Sequence, residues 1–168
     1  HWSDGSLVDL VKISKVCRTK GIPLIVDGTQ AVGAFPVSVR EIRPTMLACS
    51  SHKWLRGPAG TSFVYIDPAL HDTWMPLDLH GRGRDLDNDW DASKNTLGPT
   101  GYPEKFFKDA RKFDRGGKPD PIHTPMLQAA LERVAAIDKN ELQDELRELL
   151  TPLFEWVSKS SKFTIPPN

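Results

Sequence analysis

The chain has 168 residues, 39% of them hydrophobic, and its 22 Lys and Arg balance 22 Asp and Glu. A chain of this size buries a core without disulfide or metal staples, and zero net charge removes the counterion-release term that drives non-specific nucleic-acid binding. No apolar run approaches the ~20 residues that span a bilayer, and Cys17 and Cys49 lack the spacing of a zinc site or a disulfide framework, which fits a reducing, cytoplasmic setting.

The chain opens at His1-Trp2 without a charged-then-apolar leader, so we expect a piece of a longer protein whose address signal lies elsewhere. Apolar residues at Leu7, Val8, Leu10, Val11, Val16 and Cys17 have helical period, with Ser6 and Asp9 as a loose capping box and Gly21 as the stop. Ile22 to Val26 is an almost continuous apolar run that ends in Asp27-Gly28. It reads as a buried parallel strand delivering a carboxylate at its carboxyl end. A second strand is expected from Thr45 to Cys49, running into Ser50-Ser51-His52-Lys53. A third, Thr61 to Ile66, follows the turn Gly57-Pro58-Ala59-Gly60.

From about His80 to Pro121 the texture changes to Gly, Asp, Asn, Arg and Pro, as in Gly81-Arg82-Gly83-Arg84-Asp85. A loop of that length is expected to serve as a lid, a subunit contact or a disordered excursion. Order resumes at Pro125, in the first turn of a helix carrying Met126, Leu127, Ala130, Leu131 and Val134 on one face. A further helix is expected over Glu141 to Leu150, kinked or ended by Pro152. Helices alternating with short apolar strands indicate an α/β sheet. In such sheets ligands gather beyond the carboxyl ends of the parallel strands, which are here Asp27 and residues 50 to 53.

Taken singly, each of these residues has an ordinary structural reading. Asp-Gly is a common turn signal, a lysine after a strand is usually solvated, and Ser50 and Ser51 can bond their own backbone. Their joint order is more specific: Asp27-Gly28-Thr29-Gln30, then Ser50-Ser51-His52-Lys53-Trp54-Leu55, then Gly57-Pro58-Ala59-Gly60-Thr61. The series resembles the class V aminotransferase group of pyridoxal-phosphate (PLP) enzymes, with its cysteine desulfurases and isopenicillin-N-epimerase-like members. There an Asp-Gly-x-Gln strand end precedes Ser-x-His-Lys and a Gly-Pro-x-Gly turn. The resemblance runs over residues 1 to about 137.

The resemblance implies a fold type I, three-layer α/β/α large domain with a mostly parallel sheet. Residues 1–137 would form part of that domain, and 138–168 a helical linker toward a small domain. It further implies that Lys53 carries pyridoxal 5'-phosphate as an internal aldimine, Asp27 faces the ring nitrogen, Gln30 meets the phenolic oxygen, and Ser50 and His52 hold the phosphate. The chemistry is consistent with these roles, since only a neutral amine attacks an aldehyde carbon, and a carboxylate keeps the ring nitrogen protonated. The substrate would be an amino acid, the protein a homodimer, and the chain by itself inactive.

Phe113-Asp114-Arg115-Gly116-Gly117 resembles a segment that reaches the neighbouring subunit's cofactor, although Gly117 stands where many relatives have Thr or Glu. Trp54 is expected to pack behind Lys53. Cys17 on a helix and Cys49 in a strand are not expected to act as nucleophiles. Two rival readings remain: a truncated, non-catalytic α/β module that keeps no cofactor, and a nucleotide-binding domain, the latter weakened by the missing glycine fingerprints.

Overall fold

The computed structural model describes residues 1–85, 105–117 and 119–165. It divides into two compact units, His1–Val64 with Pro121–Asn168, and Tyr65–Asp120. Residues 86–104 and 118 of the polar segment expected over 80–121 lie outside the described residues. Among the described residues no helix is long and apolar enough to cross a membrane.

The first unit begins with helix α1, Leu10–Thr19. Its N-cap is Asp9, whose carboxylate accepts from Lys12 N at 2.9 Å, while Ser6 instead bonds the side chain of Asp4. The helix thus starts later than the apolar spacing suggests, since Leu7 and Val8 lie exposed ahead of the cap. It ends where the Lys20 and Gly21 amides return to carbonyls of the last turn and Gly21 takes φ +64°.

Strand β1 is Ile25–Asp27, shorter than the run from Ile22. Ile22 N still donates to Cys17 O, closing the helix end, and Pro23 has no N–H to give a ladder. Helix α2 is Val39–Ile42, β2 is Met46–Ser50 and β3 is Ser62–Ile66. The strands lie in the order β1-β2-β3, with β1 parallel to β2. The connection over residues 51–61 is too short for a parallel crossover, so β3 returns antiparallel and the sheet is mixed. Leu47 and Cys49 on central β2 are almost fully buried, whereas Ile25 on edge strand β1 is 64% exposed. The expectation of a buried first strand is corrected accordingly.

A clamp sets α2 against α1. Buried Ser14 donates to Ile42 O, and the Arg18 guanidinium reaches both that hydroxyl and Ile42 O. This satisfies a carbonyl left open at the end of a short helix, where Arg43 turns left-handed at φ 50°.

Helix α3 is His123–Ala135, with Ala130 and Val134 buried. Helix α4 is Lys139–Ser158 and runs through Pro152 rather than ending there. The proline costs it one backbone bond, and Thr151 Oγ1 adds a bond to Arg147 O at 2.8 Å in the same turn. Asp138 caps α4 by accepting from the amides of Asn140 and Glu141. An apolar recess of about 340 Å³ opens among Val32, Phe35, Leu55, Phe63, Leu131 and Val134.

In the second unit, single turns of tight helix at Pro68–Leu70, Gly81–Gly83 and Ala110–Phe113 are joined by an antiparallel bridge between Arg84 and Phe106. Lys112 is buried with its ammonium on His71 O, and His71 stands edge-on to Phe113 at 5.9 Å. The Gly116 amide donates to Asp78 Oδ2 at 2.8 Å, and Gly117 adopts φ +89°.

Candidate functional site

The register that pairs Asp27 with Ala48 brings the carboxyl ends of β1 and β2 side by side. The ladder continues one bond further, with Gly28 N donating to Ala48 O at 2.8 Å. A Cβ at residue 28 would stand 3.0 Å from Val32 Cγ2 and 3.2 Å from Leu47 Cδ2, so the tight approach of the two strand ends favours glycine.

Thr29 ties the two ends together. Its N–H donates to Asp27 Oδ1 at 3.0 Å, an Asx turn, and its hydroxyl accepts from Ser50 N at 3.1 Å. The Thr29 hydroxyl, followed by its N–H, holds the Asp27 carboxyl below the usual carboxylate range. Burial opposes this, and the Lys53 ammonium adds a smaller pull in the same direction. Asp27 is exposed, because it shares with Ile25 the less covered face of the sheet, whereas Val26 between them is buried on the other face.

Beyond β2, Ser50 Oγ and His52 Nδ1 lie 2.7 Å apart. Ser51 points the other way and is fully buried, its hydroxyl 2.9 Å from both Pro58 O and Thr61 O and bonded to the Thr61 hydroxyl. Its backbone also receives Gly57 N and donates to Thr61 O. Ser51 is thus the peg around which the 57–60 turn closes. A Cβ on residue 57 would meet Ser51 Cβ at 2.8 Å and Leu127 Cδ1 at 2.9 Å, so glycine is required there by packing. Between peg and turn, His52, Lys53 and Trp54 are exposed and Leu55 is buried. The loop is drawn in by Arg56 N donating to Lys53 O at 2.9 Å, with Arg56 left-handed at φ 56°.

The structure thus gathers Asp27, Gln30, Ser50, His52 and Lys53 at one end of the β1–β2 pair. Two residues gain a part that the sequence did not suggest. Thr29 staples the strand ends, and the only local sign of it is a hydroxyl two positions after an Asp. Trp54, expected to pack, is 51% exposed and donates from its indole to Gln30 Oε1 at 3.3 Å. Cys49 lies within β2, its thiol pushed up first by burial and then by the Asp27 charge, so it is no nucleophile.

The model of the family "Aminotransferase class-V" matches residues 3–167. An uncharacterized aminotransferase of Bacillus subtilis, YcbU, is 26% identical over 159 residues, which is 95% of this chain and 39% of YcbU. Among solved structures, an apo cysteine desulfurase from Thermococcus onnurineus superposes with a TM-score of 0.72 at 22% identity, covering 90% of this chain and 34% of its own. A C-DES variant with glycine covalently linked to its PLP cofactor superposes with a TM-score of 0.73 at 20% identity, covering 94% and 39%. The chain therefore spans between a third and two fifths of the length of these relatives, and the structural likeness shows the fold as part of fold type I. On the extent of the family match and the shared fold, this chain belongs to the class-V aminotransferase family.

Proposed function

We propose that the protein is a PLP-dependent enzyme acting at the α-carbon of an amino acid, with its cofactor on Asp27, Gln30, Ser50, His52 and Lys53. Class-V aminotransferases are PLP enzymes. The observation that carries the reading is the parallel register that sets Asp27, at the end of β1, beside the end of β2, where Ser50, His52 and Lys53 follow and where Thr29 ties the two ends together. The donor set also fits the group, which offers a ring nitrogen, a phenolic oxygen, an aldehyde carbon and a phosphate.

When bound, the cofactor supplies a cationic ring that draws in the electrons of a bond broken at the substrate's α-carbon. Asp27, kept ionised by Thr29, holds the proton on the ring nitrogen. Lys53 Nζ would hold the group at its aldehyde carbon, with loss of water, and as a free amine would take and return the proton at the substrate's α-carbon. Ser50 and His52, paired through Oγ and Nδ1 at 2.7 Å, would hold the phosphate between them, and that pairing leaves His52 Nε2 outside it. Gln30 donates from its amide to the phenolic oxygen. The same reading makes the protein a homodimer.

Reconstitution tests this. The complete protein mixed with PLP should develop a stable visible absorption band, and Lys53→Ala should lose both band and turnover. A wild-type protein that stays colourless, or a Lys53→Ala variant with unchanged turnover, would refute the assignment.

A further inference from the structure

Trp54 contributes little to packing, since half its surface is in solvent. Its main-chain seat is nevertheless well defined. Gly33, at φ +99°, lies so close to it that a Cβ there would be 2.9 Å from both the carbonyl carbon and the oxygen of Trp54. The turn carrying Gln30 therefore rests on the backbone that carries Trp54, and the two side chains meet through indole Nε1–H and Gln30 Oε1 at 3.3 Å.

An indole N–H donates and cannot accept, so it takes the oxygen end of the amide and rejects the nitrogen end. An amide without such a partner exchanges its two ends by rotation about its last torsion. Fixing the oxygen turns the NH2 to the opposite side, where among the described residues it has no acceptor. Gln30 is thereby held as a donor awaiting an acceptor on a ligand.

We propose that Trp54 is a positioning residue that presents the Gln30 amide NH2 to an anionic oxygen, the phenolic oxygen of the bound ring. This rests on the reading of Gln30 as a ring contact. A donor at that oxygen favours its ionised form, so loss of the donor raises the pH at which the visible band titrates.

The test is a pH titration of that band in the complete protein loaded with PLP, for wild type, Q30A, W54F and the double variant. Q30A should raise the midpoint by about half a unit, an about threefold change in the proton equilibrium, as expected for one neutral hydrogen bond. W54F should raise it in the same direction, and should add nothing when Gln30 is already alanine. In the cofactor-free protein, Q30A should also move the Trp54 indole N–H proton resonance. If Q30A shifts the midpoint and W54F does not, or if W54F shifts it equally with and without Gln30, the inference is overturned while Gln30 keeps its role. If Q30A leaves the midpoint unchanged, Gln30 does not touch the ring and the inference falls with that reading. Should W54F fail to fold, an indole resonance unmoved by Q30A overturns the pairing.

Discussion

Replacing Gly33 with alanine would act on the turn that carries Gln30. The added Cβ would sit 2.9 Å from the carbonyl carbon and oxygen of Trp54 and 3.2 Å from Leu55 Cδ2, at a φ of +99°. Neither backbone atom can rotate away, and Leu55 is buried. Forcing a residue with a Cβ into that conformation costs roughly 1–3 kcal/mol, and overpacking against fixed atoms costs about 1–3 kcal/mol more. The sum, roughly 2–6 kcal/mol, is a large share of a stability of about 5–15 kcal/mol. Urea unfolding of the complete protein should show a midpoint lowered by about 1–3 M. Gly60→Ala is the control, because Gly60 has φ +84° but no atom within 4 Å of its added Cβ. That change should carry the conformational part alone, roughly 1–3 kcal/mol. Equal midpoint losses for the two variants would show that the 28–35 turn does not rest on the Trp54 backbone.

Thr29→Val should return the Asp27 carboxyl toward its ordinary range, read by NMR titration, because Thr29 is the main cause of its depression. The wild-type carboxyl titrates below its unfolded value, so its contribution to stability is complete above about pH 4 and is lost as pH falls through the folded value. The variant should therefore be less stable at neutral pH and lose less on acidification, and an unmoved Asp27 titration would contradict the assigned cause. Ser51→Ala should cost roughly 1–3 kcal/mol in thermal or urea unfolding, because it strips a fully buried hydroxyl from the Pro58 and Thr61 carbonyls. Alkylation by iodoacetamide should reach half-buried Cys17 well before Cys49, whose burial raises its thiol pKa and blocks access. Equal rates would place Cys49 at the surface.

The sequence order of the site was legible because chemistry and topology coincide at two strand ends. Asp27 ends one apolar run and Ser50 to Lys53 follow another, and a parallel register then has to set them side by side. The helix over Leu10–Thr19 and the strands after Pro44 and Gly60 were readable from periodicity and turn residues for the same reason. Boundaries were less legible. Asp9 rather than Ser6 takes the cap because Ser6 is already bonded to Asp4, a competition that spacing does not reveal. Pro152 stays inside α4 because long stretches of good helix-forming residues on both sides outweigh one lost bond. The exposure of Ile25 and Asp27, on either side of buried Val26, follows from one face of β1 being less covered than the other, which depends on what packs on each face and not on the strand's own composition. The Trp54–Gln30 bond joins residues far apart in sequence, through a turn shaped by Gly33, and no local pattern encodes it.

Borohydride reduction followed by peptide mapping tests the central claim most directly. After the PLP-loaded protein is treated, the account predicts one pyridoxyl-modified lysine, Lys53, with the label absent from Lys53→Ala and retained in Asp27→Asn at weaker cofactor affinity. A label on another lysine, or none on a protein that holds the cofactor, would contradict it.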